Sequence, residues 1–404
     1  MAGAVAGAAA TTHAAPGACP CCAATDGRIF HAVPSVPVYC NVLFPSEDAA
    51  RRAPVAALRL AACPACGFVW NDAFDPALVD YAAGYEDSQA FSPRFRAFAE
   101  ELARDLTARH GLRGGRVLEI GCGKGDFLAL LCEIAEARGI GLDPAFQPGR
   151  LPPASEARLE VIRDLYDERF AHLEADLVVC RHTLEHLPRP LRLLGDLRRA
   201  LERRPATGVF FEVPDVLRVL REGAFWDLYY EHCSYFSAGS LVRAFRRAGF
   251  AVTSLRTAYA DQYLQLEARI ASGAPQVGPC PDDRAELAEA VARFEQELGR
   301  TLARWRDRIA RHATRGRPVA LWGAGSKAVG FLTLLPADAP VAAVVDINPN
   351  KQGRFLPGRG HRIAAPAELR AVAPELVIAM NPIYEAEIRA DLAALGVDAE
   401  VSSL

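Results

Sequence analysis

The sequence predicts an α/β protein that contains two Rossmann-like units and a small metal-stapled module ahead of them. Two observations predict the α/β class. A strand, a glycine turn, a helix and a second strand follow one another from Arg116, and the same order restarts at Pro318. A third observation, two C-x-x-C pairs within residues 18–75, predicts the small module. The chain has 404 residues, more than one hydrophobic core usually organises, so several domains are expected.

Charge and composition narrow the class of function. The net charge is -3 and no block of Lys or Arg interrupts the sequence, which argues against a protein that clamps nucleic acid. No apolar run is long enough for a membrane span, so binding to a membrane is not expected. The 11 Cys lack the close, even spacing of a secreted disulfide scaffold, which favours the reducing cytoplasm. Chemistry on a small-molecule substrate is the expectation.

The N-terminal part is expected to hold a structural zinc ion. Residues 1–17 lack the positive start of a signal peptide and are predicted to be a disordered tail, whereas residues 18–75 are predicted to be the zinc-binding module. Two thiolate pairs can complete a tetrahedral zinc shell with no open position. The predicted ligands are Cys19, Cys22, Cys63 and Cys66. Two unrelated reduced pairs are the alternative, and Cys21 leaves the assignment within the first pair open.

Helices are predicted on either side of the central domain. Residues 76–110 are predicted to be a connecting helical segment, and 279–315 a linking helix, because apolar residues recur every three or four positions. In the first segment these residues are Phe91, Phe95, Phe98, Leu102 and Leu106. The C-terminal domain, residues 316–404, is expected to place the strands "PVALW", "VAAVVD" and "PELVIAM" in a second, smaller Rossmann-like unit.

The central domain, residues 111–278, carries a candidate site for a methyl donor. Its strands, among them "RVLEI" and "ADLVVC", predict a parallel sheet. An acid before the glycines suits S-adenosylmethionine, whose ammonium needs a counter-charge, whereas an NAD site prefers G-x-G-x-x-G. A further acid after the second strand can accept ribose hydroxyls, and one after the third can cap adenine. In chain order these residues are Glu119, Gly121, Gly123, Gly125, Asp143 and Asp164.

A second glycine turn supports a rival. Gly323, Gly325 and Asp346 superficially fit the fingerprint of a dinucleotide site, so an NAD-dependent oxidoreductase is the alternative from another class. Against it, the chain after Pro318 is about one half of the doubly wound fold. A ligand-binding protein without catalysis is a third possibility.

Six motifs together resemble one family. The cysteine module, "GYEDSQAFSPRF", "VLEIGCGKGDFL", "HTLEHL", "YYEHCSYFS" and "WGAGSKAVGF" resemble the sugar C-methyltransferases, enzymes that methylate a carbon of nucleotide-linked keto-deoxysugars. The resemblance covers nearly everything after the tail. It implies a class I S-adenosylmethionine methyltransferase domain, flanked by the zinc module and by a C-terminal Rossmann-like domain that encloses the substrate and binds no NAD.

The resemblance also implies the residues that act. The family's Tyr-x-Glu-His motif falls on Tyr229, Glu231 and His232, and its further His falls on His186. Methylation beside a ketone needs a base for the α-proton, and His232 is suited to that role. Glu231 is expected to orient His232 or hold a sugar hydroxyl, and Tyr229 or His186 to donate to the enolate oxygen.

Other residues are expected to contact the cofactor, or to mark a change of substrate. His182 is expected to back the cofactor, and Tyr85 and Ser88 to reach its methionine portion. The chain departs from the family at Tyr230, Asp87 and Arg181, where His, Asn and Asn are common. A structural Glu-His pair is the alternative for the aromatic stretch, residues 225–237 ("FWDLYYEHCSYFS"), and O- or N-methylation is the alternative reaction. The sequence leaves the acceptor, its stereochemistry and the oligomeric state open.

Overall fold

The computed structural model describes residues 15–81, 84–271 and 278–404. Most of the predicted tail, and residues 272–277 of the predicted central domain, therefore lie outside the described residues. The strands are β1 (Arg28–Pro37), β2 (Val55–Ala62), β3 (Val69–Asn71), β4 (Arg116–Ile120), β5 (Arg138–Leu142), β6 (Leu159–Ile162), β7 (Leu177–Arg181), β8 (Gly208–Pro214), β9 (Ser234–Tyr235), β10 (Phe250–Ala258), β11 (Tyr263–Ile270), β12 (Val319–Trp322), β13 (Ala343–Val345), β14 (Ile363–Ala364), β15 (Leu376–Ala379) and β16 (Glu400–Ser403).

Helices connect these strands. The α-helices are α1 (Glu47–Arg51), α2 (Pro93–His110), α3 (Asp126–Ile134), α4 (Pro153–Glu156), α5 (Pro190–Ala200), α6 (Val216–Glu222), α7 (Ala238–Arg247), α8 (Arg284–Ala313), α9 (Ser326–Leu334), α10 (Leu369–Val372) and α11 (Glu385–Leu395). Within the described ranges, no helix has the length and apolar character of a membrane span.

The N-terminal module forms an antiparallel sheet that takes its last strand from the aromatic stretch. Its order is β1-β2-β3-β9, and Val69 pairs with Tyr235 while Trp70 pairs with Ser234. The second cysteine pair, Cys63 and Cys66, occupies the turn between β2 and β3. The cysteine module is therefore bonded through one short strand to the residues that directly follow His232.

The central sheet is mixed, which corrects the prediction of a parallel sheet. Its order is β10-β11-β8-β7-β4-β5-β6; the five strands β4 to β8 run parallel, and β10 and β11 pair antiparallel. Residues 259–262 are too short a connection for a parallel crossover, so they permit only a hairpin. The parallel part retains the edge at which ligands bind in α/β sheets.

Capping residues set the ends of the helix that precedes the central sheet. The Ser92 side chain accepts a hydrogen bond from the Phe95 amide at the start of α2, and Gly111 ends the helix with φ +60°. The helix buries Leu102 and Leu106, as the spacing predicts. Phe91, which was included in the helical pattern, lies before the cap and is exposed, because Pro93 takes the first helical position.

The C-terminal part is a parallel sheet reached through one long helix. Helix α8 spans Arg284–Ala313, where a linking helix is predicted, and buries Phe294 and Trp305. The sheet order is β14-β13-β12-β15-β16, with all strands parallel. The three predicted strands are β12, β13 and β15. The two edge strands were not predicted; β14 has only two residues and so carries no periodic signal.

One hydrophobic cluster joins the N-terminal sheet to the C-terminal sheet. Its buried members come from the N-terminal sheet, the aromatic stretch, α8 and the C-terminal sheet; examples are Leu60, Phe225, Tyr230, Phe294 and Leu321. The aromatic stretch therefore packs between the N-terminal and C-terminal parts while its β9 end approaches the central sheet. This packing sets the orientation of residues 225–233, which precede β9.

Candidate active site

A cavity of ≈ 910 Å³ lies at the carboxyl edge of the central parallel strands. Its wall includes the glycine turn after β4, the segment 85–92 and the second glycine turn after β12. The edge between β4 and β7 is where the strand order reverses, the position at which open α/β sheets bind ligands. The volume lies at the upper end of the range for small-molecule sites, so it is large enough for a cofactor beside an acceptor.

The first glycine turn needs residues without side chains. Gly121, Gly123 and Gly125 have φ of +72°, +56° and +82°, in the left-handed region that glycine tolerates. A Cβ on Gly121 would overlap the Thr183 hydroxyl and lie 2.6 Å from Thr183 Cγ2. The turn therefore fits tightly under the loop after β7, and its backbone forms part of the cavity wall.

Glu119 is a buried acid without a partner, at the floor of the cavity. It is 3% exposed, and its Oε2 has no hydrogen bond to any described residue. Burial raises the pKa of Glu119 to about 8, and the nearby Arg181 guanidinium opposes this only in part. A buried carboxyl with a free oxygen fits a ligand that carries a positive charge, as S-adenosylmethionine does.

The other two predicted acids differ in surroundings. Asp143 accepts hydrogen bonds from the Gly123 amide at 2.8 Å and the Ala145 amide at 2.7 Å, and each oxygen keeps a second lone pair toward the cavity. Asp164 accepts from the Leu165 amide and pairs with Arg169 at 2.9 Å, which lowers its pKa. Asp143 thus braces the glycine turn, and Asp164 lies at the cavity rim.

Tyr85 and Ser88 line the same cavity. The Ser88 hydroxyl donates to Asp126 Oδ2 at 2.7 Å, at the start of α3. The Tyr85 hydroxyl accepts from Asn41 Nδ2 at 3.4 Å. Ser88 therefore connects the segment 85–92 to the start of α3, and Tyr85 connects it to the N-terminal module.

Three of the four predicted catalytic residues meet in the cavity wall. The rings of Tyr229 and His232 lie 4.3 Å apart between centroids, and those of His186 and His232 lie 4.8 Å apart at 87°. His186 Nδ1 lies 3.3 Å from the Tyr81 hydroxyl. All three predicted side chains line the cavity together with the first glycine turn.

Burial keeps these groups uncharged. It lowers the pKa of His232 well below the usual value for histidine, helped by His186, His182 and Lys327, and it lowers the pKa of His186. Burial also raises the pKa of Tyr229 well above its usual value. A neutral imidazole can accept a proton and a protonated phenol can donate a hydrogen bond, so the wall offers both functions.

Glu231 is not brought to the cavity wall. Its Oε2 accepts from the Cys40 amide at 2.8 Å, on the side of the N-terminal module. Burial raises its pKa to about 8, and the hydrogen bonds from Cys40 and Tyr85 counteract this only in part. Tyr230, one of the departures from the family, is likewise outside the wall and accepts from the Asp75 amide at 2.7 Å. These two side chains anchor the aromatic stretch to the module.

His182 lies in the wall with an unusual backbone. Its φ is +49°, and its Nε2 lies 3.1 Å from Glu212 Oε1. Burial disfavours the charged imidazole, but Glu185 and Glu212 outweigh it and raise the pKa of His182 to about 9. The Tyr263 ring lies 4.5 Å from the His182 ring. The charged His182 ring therefore lies in the loop after β7, beside the first glycine turn.

Sequence reasoning missed two features of the wall. Asp227, inside the quoted aromatic stretch, pairs with Arg218 at 2.7 Å and also with Lys327 from the second glycine turn. Glu185 lies between His182 and His186, which the sequence analysis singled out, and it lines the cavity. Neither of its carboxylate oxygens has a hydrogen bond among the described residues. Glu185 is visible in the motif "HTLEHL", but the direction of its side chain depends on the turn at Leu184–His186.

The four predicted cysteines come together at the other end of the N-terminal sheet. Their Sγ atoms all lie within 4.8 Å of one another, with Cys19 and Cys66 3.6 Å apart and Cys22 and Cys63 3.5 Å apart. Tetrahedral zinc holds thiolates about 3.8 Å apart. Cys21 is buried but does not belong to the cluster. The donor set therefore fits a closed zinc site.

Two family models match the chain. One, described as a methyltransferase domain, matches residues 94–255, and the other, described as a C-methyltransferase C-terminal domain, matches residues 282–398. The C-methyltransferase NovU of Streptomyces niveus is 27% identical over 294 residues, which cover 68% of each chain. The two family models span the first glycine turn, the residues His186, Tyr229 and His232, and the strands β12 to β15.

Two solved methyltransferase structures with bound S-adenosylhomocysteine are similar to part of this chain. The 1,6-didemethyltoxoflavin-N1-methyltransferase of Burkholderia thailandensis is 19% identical with a TM-score of 0.34, over 43% of this chain and 79% of that chain. The magnesium protoporphyrin IX methyltransferase of Synechocystis PCC 6803 is 17% identical with a TM-score of 0.36, over 46% and 91%.

Proposed function

Because the chain belongs to the C-methyltransferase family and is an S-adenosylmethionine-dependent methyltransferase, we propose that it methylates the carbon beside the ketone of a nucleotide-linked keto-deoxysugar. The observation that carries this proposal is the neutral, buried imidazole of His232 in the same cavity as the methyl-donor turn. Carbon beside a ketone is not nucleophilic until a base removes its proton. A base beside a hydroxyl can serve O-methylation as well, but a carbon acceptor cannot react without one.

In this proposal, the residues of the cavity wall have separate roles in the reaction. His232 accepts the α-proton at a ring nitrogen, and the electron pair of the C–H bond becomes an enolate. The Tyr229 hydroxyl or His186 donates a hydrogen bond to the enolate oxygen, which is strongest when the charge has developed. Bound S-adenosylmethionine supplies an electrophilic methyl group. Burial of the wall excludes water from the reacting atoms.

The cofactor residues have matching roles in this proposal. Gly121, Gly123 and Gly125 let the backbone approach the cofactor, and Asp143 accepts from its ribose. Glu119 balances its positive charge, while Asp164 at the rim faces its adenine. Tyr85, Ser88 and His182 enclose its methionine end. The C-terminal part, residues 316–404, encloses the sugar.

An NAD reaction at the second glycine turn finds less support. The Asp346 carboxylate accepts from the Ala324 amide at 2.7 Å and the Asn348 amide at 2.8 Å. Lys351 Nζ lies 3.6 Å from the same carboxylate and partly neutralises it. Unlike Asp143, this carboxylate therefore has a cationic side chain beside it, which makes it a weaker acceptor for the hydroxyls of a dinucleotide ribose.

The acceptor class is tested with labelled methyl groups. The protein is incubated with [methyl-¹³C]S-adenosylmethionine and a panel of nucleotide-linked 4-keto sugars, including thymidine diphosphate-4-keto-6-deoxyglucose, and products are analysed by mass spectrometry and NMR. We expect label on a ring carbon next to the carbonyl. Label on oxygen or nitrogen would show that the O- or N-methylation alternative is right.

We also propose a structural zinc ion at Cys19, Cys22, Cys63 and Cys66. Its role follows from the pairing of β3 with β9: the Asn71 amide donates to the Cys233 carbonyl at 3.0 Å, one residue after His232. Zinc fixes the turn between β2 and β3, and β3 fixes β9. The metal takes no part in the reaction, because four thiolates leave it no open position.

Replacing one zinc ligand should release the metal and loosen the catalytic stretch. We expect Cys63→Ser to reduce bound zinc from about one to less than half a mole per chain and to lower the free energy of unfolding by about 3 kcal/mol or more. Zinc is measured by plasma mass spectrometry and stability by urea unfolding. Cys21→Ser is the matched control and should keep its zinc. Wild-type protein with under half a mole of tightly bound zinc would refute the site.

Cofactor binding should release a proton from Glu119. Its pKa of about 8 keeps it protonated at pH 7, and the positive cofactor lowers that pKa, so up to about one proton leaves per molecule bound. Affinity should therefore rise with pH up to about 8. Titration calorimetry in phosphate and in Tris measures the release, which Glu119→Gln should remove. Equal binding enthalpies in both buffers for the wild type would exclude this role.

A further inference from the structure

Glu185 is a buried carboxylate that accepts no hydrogen bond from any described residue. It is 2% exposed, lies in the turn Leu184–His186 after β7, and lines the cavity. Both of its carboxylate oxygens lack a hydrogen-bond partner among the described residues. A buried carboxyl group without hydrogen bonds is costly, and a cationic ring at 3.6 Å offsets that cost only in part.

Its neighbours are the imidazoles of the catalytic wall. A carboxylate oxygen of Glu185, a ring nitrogen of His186 and a ring nitrogen of His232 all lie within 4.8 Å of one another. His182 Nδ1 is 3.6 Å from Glu185 Oε1, beyond hydrogen-bond distance, and His182 is shared with Glu212. One water molecule or a small side-chain movement would connect Glu185 with His232.

Among the described residues, Glu185 is the carboxylate that groups with His186 and His232 within 4.8 Å. Around the His232 ring, His186, Tyr229 and Tyr235 are neutral. His182 is cationic, and Lys327 is paired with Asp227. Glu231, although adjacent in sequence, accepts from the Cys40 amide and is absent from the cavity wall. A proton on His232 would therefore place a positive charge beside further positive charge unless Glu185 balanced it.

We infer that Glu185 is the positioning residue for the base: it orients the His232 imidazole and balances the positive charge that forms when His232 takes the α-proton. The inference rests on the proposed function. The C–H bond breaks, its electron pair stays on the substrate as the enolate, and the proton bonds to His232. Glu185 neither gains nor loses a proton in this step, which is the role of the carboxylate in a base-orienting pair. The orienting role thus passes from Glu231 to Glu185.

The test separates orientation of the base from binding. Turnover is measured with thymidine diphosphate-4-keto-6-deoxyglucose and labelled S-adenosylmethionine, and cofactor Kd by calorimetry. We expect Glu185→Gln to lower kcat about 100-fold while KM and Kd stay within threefold. Glu185→Asp, which keeps the charge, should recover at least tenfold over Gln. Substrate deuterated at the α-carbon should react more slowly than protiated substrate in Glu185→Gln, because proton removal then limits the rate.

Two matched variants make each failure distinguishable. Glu231→Gln makes the same chemical change one residue from His232, and we expect it to lose much less kcat than Glu185→Gln. An equal loss, no gain with Asp, or a tenfold rise in KM or Kd for Glu185→Gln would overturn the inference alone. Turnover by His232→Asn would overturn the proposed function, and the Glu185 inference with it.

Discussion

Replacing His232 with Asn is expected to lower methyl transfer by about 1,000-fold or more while leaving S-adenosylmethionine affinity within twofold. Asn has no group that accepts a proton near neutral pH, so the α-carbon of the substrate is not activated. The glycine turn and Glu119 belong to other elements and are unchanged. Turnover is measured with the labelled methyl donor, and affinity by titration calorimetry.

A matched histidine provides the control for this variant. His172 is exposed and contacts the Arg169 carbonyl, away from the catalytic stretch, so His172→Asn should retain wild-type turnover. The melting temperatures of both variants are compared with that of the wild type. Substantial turnover by folded His232→Asn protein would remove this imidazole from the mechanism.

Substituting Gly121 with Ala should eliminate cofactor binding. The new Cβ would overlap the Thr183 hydroxyl and lie 2.8 Å from Thr183 Cβ, and φ of +72° is unfavourable for Ala. We expect the free energy of unfolding to fall by about 3 kcal/mol and cofactor Kd to rise at least 100-fold. Urea unfolding and calorimetry measure the two effects.

The same turn offers a control and a partial rescue. A Cβ on Gly123 would have Asp87 Oδ2 at 3.8 Å as its nearest neighbour, so Gly123→Ala should cost only the backbone strain, about 1 kcal/mol. Combining Gly121→Ala with Thr183→Gly removes the overlapping atoms and should restore part of the stability. If Gly121→Ala were no worse than Gly123→Ala, the close fit between the turn and Thr183 would be wrong.

Local pattern was sufficient for much of the architecture. The glycine turn, the strand before it and the long α8 each depend on contiguous residues whose spacing and polarity state their conformation. The Ser92 and Pro93 pair also marks the start of α2, although the apolar pattern alone extended the helix to Phe91. The four cysteines were recognisable because a tetrahedral site needs two close pairs.

Features that depend on distant contacts were not predictable. Strand β9 has two residues and exists because it pairs with β3, about 165 residues earlier in the chain. The same pairing turns Glu231 toward Cys40 and leaves His232 in the cavity wall. Adjacent residues in a sequence can face opposite sides, and a carboxylate close to His232 comes from a different turn, at Glu185.

The proposed C-methylation requires that His232 removes a carbon-bound proton. Its most direct test is hydrogen exchange without methyl transfer: the protein, saturated with S-adenosylhomocysteine, is incubated in D₂O with thymidine diphosphate-4-keto-6-deoxyglucose, and deuterium at the carbon beside the ketone is followed by NMR. The account predicts rapid exchange with wild-type protein and exchange at the background rate with His232→Asn. Equal exchange rates for the two proteins would contradict it.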